Sequence, residues 1–168
     1  MNMAIIAAAG TGSRMKADMN KQYIPLLGKP MLVYTLEAFQ QNEDIKSIIL
    51  VAGKEELKYC KKNIVDGFGI TKVDRLVEGG STRQQSVYNA LKNIPSECDI
   101  VLVHDGARPV IKQELISKCI NEAELYGAVS AGVLIKETVK IVEKNNYVEY
   151  TPNRENVWVT QTPQAFRR

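Results

Sequence analysis

The chain has 168 residues, 45% of them hydrophobic and 24% charged, with a formal net charge of +3. These are the proportions of an ordinary globular domain, and a chain of this length buries about two thirds of its unfolded surface, enough for one core. No apolar run reaches the roughly 18 residues of a membrane span, and the 22 Lys and Arg residues are scattered, which suits phosphorylated small molecules better than nucleic acid. Residues 1–168 therefore read as a single domain. Three well-separated cysteines (Cys60, Cys98, Cys119) without a CxxC pair point to reduced thiols in a cytoplasmic protein, not to a disulfide or zinc framework. Met1 to Ile6 lacks the basic region of a secretory signal and reads as a first buried strand.

Ile5-Ile6-Ala7-Ala8-Ala9 is short and apolar and ends at Gly10, a strand followed by a turn. From about Pro30 to Gln41, Leu32, Leu36 and Phe39 recur at helical spacing, with Pro30 suited to a first helical turn. Ser47 to Gly53 is a second buried strand. Lys54 to Val65 reads as a charged surface helix closed near Gly67 and Gly69, and Val73 to Val77 as a third strand. Gly79-Gly80 opens a loop, after which Ser81 or Thr82 can cap a helix to about Leu91. Asp99 to His104 is a fourth strand, Lys112 to Tyr126 a helix, and Ala128 to Ile135 a further strand. Such apolar strands alternating with helices predict an α/β fold with a mostly parallel sheet covered on both faces. Beyond Thr138 the texture changes. Thr138 to Val142 and Tyr147 to Tyr150 alternate around Asn145-Asn146, which predicts a β-hairpin, an arm over about 137–159 outside the sheet.

Ligands of open parallel sheets lie beyond the carboxyl ends of the strands, and three loops there carry candidate chemistry. In Ala7-Ala8-Ala9-Gly10-Thr11-Gly12-Ser13-Arg14-Met15, small residues let backbone N–H groups approach a phosphate or base. Arg14, and Lys21 of the following Lys21-Gln22-Tyr23, can neutralise its charge. A tight turn with two solvated cations is the plain alternative. A dinucleotide fingerprint wants glycine where Met15 stands and an acid after the second strand; a Walker lysine loop is missing altogether. In Gly79 to Val87, bare backbone can bond a base edge and Ser86 adds a hydroxyl, although the string also reads as a capped helix start. In His104-Asp105-Gly106-Ala107-Arg108-Pro109, an acid and an arginine can hold sugar hydroxyls, a cation and a phosphate, or simply pair with each other across a turn. His104, the single histidine, lies inside a strand and reads as a packed, hydrogen-bonded residue in preference to a base. The seven tyrosines share no spacing that makes a stacking platform.

Taken in order, AAAGTGSRM with KQY, EGGSTRQQSV, VHDGARP and TPNRENVWVTQTPQAF resemble the 2-C-methyl-D-erythritol 4-phosphate cytidylyltransferases, from Ala4 to Phe166. The resemblance implies a Rossmann-like three-layer nucleotidyltransferase fold with a protruding hairpin. It also implies transfer of CMP from CTP to 2-C-methyl-D-erythritol 4-phosphate in non-mevalonate isoprenoid precursor synthesis. Ribitol-5-phosphate cytidylyltransferase is the near relative, with HDGARP favouring the erythritol enzyme. On this resemblance Arg14 and Lys21 are catalytic cations. Backbone at Ala8, Ala9, Gly10, Thr11, Gly12 and Gly80, with Ser86, binds the nucleotide, and Gly106 borders the ribose. Asp105, Arg108 and Thr162 hold the polyol phosphate. Thr138 and Arg154 reach from the arm into the neighbouring subunit of a homodimer.

The implied cofactor is Mg²⁺, held mainly by the CTP phosphates with Asp105 as a candidate ligand; neither nucleic acid nor membrane is an expected partner. The family pattern continues past TPQAF into a C-terminal segment with a threonine–acid motif, a final strand and a phosphate-contacting lysine. This sequence ends at Arg167-Arg168 without it. A catalytically silent nucleotide-binding module is therefore an alternative expectation, and a dinucleotide redox domain a third that Met15 disfavours.

Overall fold

In the computed structural model, residues 1–10 and 20–168 are described. Six strands form one sheet: β1 (Asn2–Ala8), β4 (Ile45–Ala52), β5 (Val73–Glu78), β6 (Ile100–Asp105), β7 (Ala128–Leu134) and β10 (Trp158–Arg167). Two short strands, β2 (Pro25–Leu26) and β3 (Lys29–Pro30), form a separate ribbon, and β8 (Ile141–Val142) pairs with β9 (Val148–Tyr150). The sheet order is β5-β4-β1-β6-β10-β7. β1 runs parallel to both β4 and β6, and β4 parallel to β5, whereas β10 is antiparallel to both β6 and β7.

The near-continuous apolar runs of β1, β4 and β6 follow from burial on both sheet faces. Because side chains alternate along a strand, Ala4, Ile6 and Ala8 join Leu50 and Leu102 in one core, while Met3 and Ile5 join Ile49, Val51, Val101 and Val103 in the other. Helices α1 (Met31–Gln41) and α4 (Gln113–Tyr126) cover the first face, placing Leu32, Leu36, Phe39, Ile116 and Ile120 against it. Helix α3 (Arg83–Leu91) lies on the second face with Ala90 inward. Full burial of one Leu, Ile or Phe side chain contributes about 1.5–3 kcal/mol, so these two layers dominate the stability of the domain.

Most expected elements are present, with three differences. Helix α1 begins at Met31, and Pro30 is its extended N-cap because it also pairs with Pro25 in the β2–β3 ribbon. The expected surface helix after Gly53 changes pitch along its length: a 3₁₀ turn Lys54–Glu56, α2 (Leu57–Tyr59) and a π-helical stretch Cys60–Asp66. This buries Cys60, Ile64 and Val65. The third difference is β10, which the sequence reading treats only as a motif. Its Pro163 and polar residues contradict strand patterning, yet it pairs on both sides, with an irregularity between Thr160 and Gln164 that contains the cis Thr162–Pro163 peptide. No described helix is long and apolar enough to cross a membrane.

Candidate functional site

The chain leaves β1 for β4 and β5 on one side and returns to β6 on the other, so connections diverge between β1 and β6. In open α/β sheets this divergence makes a crevice at the carboxyl ends of the strands. The register brings three strand ends to one level, pairing Ala8 with Ala52 and Ala7 with Asp105. The following loops stay close: Gly79 N–H donates to Ala52 O at 2.9 Å and Gly106 N–H to Ala7 O at 2.8 Å. A Cβ at Gly79 would overlap the methyl of Ala9, and one at Gly106 would stand 2.9 Å from Leu32 Cδ1. Glycine at these two positions is thus what lets the loops meet.

A cleft of about 850 Å³ opens there, lined by Ala7 to Gly10, Lys21, Gln22, Gly80 to Arg83, Ser86, Asp105, Ala107 and Arg108. Its size falls in the range of small-molecule sites. Lys21 is exposed on a 3₁₀ turn, Lys21–Tyr23, that is held from two sides. Inward, buried Gln22 donates its amide to Ala8 O at 2.6 Å and Gly10 O at 3.1 Å. Outward, Glu56 accepts from Asn20 Nδ2, from Tyr23 OH at 3.1 Å and from Gly53 N–H at 3.1 Å. Burial, with Cys60 and Glu56 beside it, raises the Tyr23 hydroxyl above its ordinary value, so it stays a neutral donor.

On the α3 side, Thr82 caps the helix, its Oγ1 accepting from Gln85 N–H at 3.1 Å. Ser86 is buried; its oxygen accepts from Gly80 N–H at 3.0 Å and its hydroxyl donates to Thr82 O at 2.9 Å. Ser86 therefore pins the glycine loop as well as lining the cleft.

Asp105 is the one carboxylate lining the cleft among the described residues. Arg83 donates Nε and Nη2 to its Oδ1 at 3.2 and 3.1 Å, and Arg108 donates Nε to its Oδ2 at 3.1 Å. Its backbone N–H donates to Thr162 Oγ1 at 3.2 Å, and Thr35 supports the next residue by donating to Gly106 O at 2.9 Å. The Asp–Arg pairing across the turn, one of the two readings the sequence leaves open, is present but shared with a second arginine from α3. With Lys21, Arg83 and Arg108 against Asp105, the described lining carries net positive charge, suited to a polyanion. His104 is buried, with Nε2 3.1 Å from Arg108 O and Nδ1 without a partner among the described residues. Burial holds it below its ordinary pKa, as a neutral packing residue outside the cleft lining.

The structure thus gathers Ala8, Ala9, Gly10, Lys21, Gly80, Ser86, Asp105 and Arg108 around one cleft, with Gly106 and Thr162 immediately behind it. Thr138 and Arg154 are exposed and stand outside this chain's own cleft lining. Thr11, Gly12 and Arg14 lie outside the described residues. Sequence reasoning assigned nothing to Gln22, Thr35 or Arg83. Arg83 had a signal: a cation at the first position of a helix opposes the helix dipole and calls for a carboxylate partner.

The family model described as 2-C-methyl-D-erythritol 4-phosphate cytidylyltransferase matches residues 2–168. The enzyme of that name from Caldanaerobacter subterraneus is 42% identical over 165 residues, covering 98% of this chain and 73% of the relative. The one from Alkaliphilus oremlandii is 47% identical over 163 residues, covering 97% and 69% respectively. The crystal structure of 4-diphosphocytidyl-2C-methyl-D-erythritol synthase from Anaerococcus prevotii superposes with a TM-score of 0.84 at 37% identity, covering 99% of this chain and 70% of the other. Match, identity and fold agree along the whole chain, which belongs to the 2-C-methyl-D-erythritol 4-phosphate cytidylyltransferase family.

Proposed function

We propose that the cleft transfers CMP from CTP to 2-C-methyl-D-erythritol 4-phosphate, releasing pyrophosphate. A phosphate oxygen of the polyol ester bonds to the α-phosphorus as the α–β bridging bond breaks. The observation that carries this reading is a cationic cleft at the β1/β6 divergence, walled on one side by bare backbone and on the other by an arginine-held aspartate. Backbone at Ala8, Ala9, Gly10 and Gly80, with Ser86, faces the nucleotide, and Gly106 supports the ribose side. Asp105 and Arg108, backed by Thr162, hold the polyol phosphate. Lys21, with Arg14, compensates the charge that develops on the phosphoryl oxygens.

A general base is unnecessary. A phosphate monoester, with a second pKa of about 6, is mostly ionised near neutrality, and phosphoryl-type transfer depends chiefly on positioning and charge compensation. Mg²⁺ would neutralise the triphosphate and the departing pyrophosphate. Its fit is to the nucleotide in preference to a protein cage: both oxygens of Asp105 are taken by arginines, so ligation there requires one arginine to give way. The free, buried cysteines are in keeping with a cytoplasmic setting.

We further propose that the hairpin packs on a second copy of the chain and delivers Thr138 and Arg154 to the partner's cleft. The arm exposes Tyr147, Val148 and Tyr150, and Trp158 beside it, an apolar group of the kind that marks interfaces. Mixing inactive Lys21→Ala and Arg154→Ala chains then restores about a quarter of the sites, because each mixed dimer holds one intact cleft. Failure to complement contradicts the shared site.

The reaction itself is tested by pyrophosphate release with Mg²⁺ and CTP, offering methylerythritol phosphate and ribitol 5-phosphate separately. Release with the first alone supports the proposal. Release with the second alone reassigns the substrate, and silence with both, alongside CTP binding, makes the chain a nucleotide-binding module.

A further inference from the structure

We infer that Arg83 is a positioning residue for the polyol phosphate, acting through Asp105; this rests on the proposed cytidylyl transfer. Arg83 is the first residue of α3, where the positive end of the helix dipole disfavours a cation. Its guanidinium spans instead to β6, placing Nε and Nη2 at 3.2 and 3.1 Å from one oxygen of Asp105. Arg108 donates to the other oxygen through Nε. Asp105 is thereby fixed at both oxygens, and at its backbone N–H by Thr162.

The electrostatic consequence is specific. An unpaired carboxylate facing two phosphate-bearing substrates repels them, and like charges at close range weaken anion binding. Two arginines around one aspartate carry a net charge of +1, so the group as a whole attracts the incoming phosphate. Arg83 neutralises and orients Asp105, so that Arg108 is not drawn wholly into pairing with it. Removing Arg83 leaves Asp105 and Arg108 as a self-cancelling pair of zero net charge. The nucleotide side is held by other groups, namely the glycine backbone and the Ser86 pin. Loss of Arg83 is therefore felt by the polyol phosphate and not by CTP.

The test is Arg83→Gln and Arg83→Lys in the full chain, with KM measured for each substrate in turn. Arg83→Gln is expected to raise KM for methylerythritol phosphate about tenfold while KM for CTP stays within about twofold; Arg83→Lys recovers part of the loss. An unchanged polyol-phosphate KM, or equal rises in both KM values, overturns the inference; equal rises point to a role in the fold alone. Should the unsubstituted chain fail to turn over, the reaction assignment fails by itself. The same split is then read as dissociation constants by calorimetry, with CTP and with methylerythritol phosphate. Absence of any polyol-phosphate binding by the unsubstituted chain overturns both.

Discussion

Two hollows flank the first turn of α3 and share Thr82 and Arg83 as their common wall. The cleft, about 850 Å³, is lined by strand ends, glycines and four charged side chains. The groove on the other side is slightly larger, about 940 Å³; Val87, Tyr88 and Leu91 of α3, Ile94, Val101 and Val103 of β6, and Phe166 of β10 form its apolar half, and Thr82, three glutamines and three arginines form the rest. Volume therefore does not locate the chemistry. The cleft has donors and charges held in place by Gln22, Glu56, Ser86 and Thr162, whereas Arg167 and Arg168 of the groove are exposed and donate to the backbone carbonyls of Glu124 and Pro95, with no carboxylate in the groove lining to position them. The difference traces to topology. Strand carboxyl ends converge on the cleft, while the groove is the flank of β6 and β10 that α3 leaves open.

If charge placement separates the two, changes in the cleft should affect turnover most. Lys21→Ala is expected to lower kcat by about 10²–10³, about 3–4 kcal/mol of transition-state stabilisation, with an unchanged thermal midpoint. Near-normal turnover in a steady-state pyrophosphate assay removes Lys21 from the reaction. Ser86→Ala is expected to free Gly80 N–H and raise KM for CTP by about 1–2 kcal/mol equivalent, with little change for the polyol phosphate. Equal changes for both substrates show that the pin does not belong to the nucleotide side. Leu91→Ser, at the half-exposed groove rim, should alter stability by no more than about 0.5 kcal/mol and leave both KM values alone. A marked loss of turnover extends the active region into the groove.

His104 gives the subtlest prediction, because it packs behind the cleft and takes no part in its chemistry. Its folded pKa is depressed by burial, so the unfolded chain takes up a proton first as pH falls. Stability from the neutral imidazole is complete above the unfolded value, about 6.5. It is then lost progressively as pH falls from there towards the depressed folded value. Thermal midpoints measured from pH 7.5 to 5 should decline, and His104→Gln should flatten that slope. An identical slope in the variant assigns the pH response to other groups.

The same contrast explains what the sequence makes legible. Strands β1, β4 and β6 are readable because both faces are buried, so their residues form unbroken apolar runs. The glycine loops are readable because close backbone approach leaves few alternatives to glycine at Gly79 and Gly106. Strand β10 escapes because its identity as a strand depends on pairing with β6 and β7, and Pro163 and its polar residues argue locally against it. Gln22 and Arg83 escape for a related reason. Their partners, Ala8 and Gly10 for one and Asp105 for the other, are set by tertiary proximity that no local spacing encodes. Arg14, Thr11 and Gly12 keep only the roles that the resemblance implies, since they lie outside the described residues.

The most direct test of where the nucleotide lies is an amide NMR titration of the chain with CTP and Mg²⁺. The amides of Ala9, Gly10, Gly80 and Ser86 are expected to shift together with a single dissociation constant, while those of Leu91, Ile94 and Phe166 remain in place. Shifts concentrated at Leu91, Ile94 and Phe166, with the glycine loops silent, would contradict that placement.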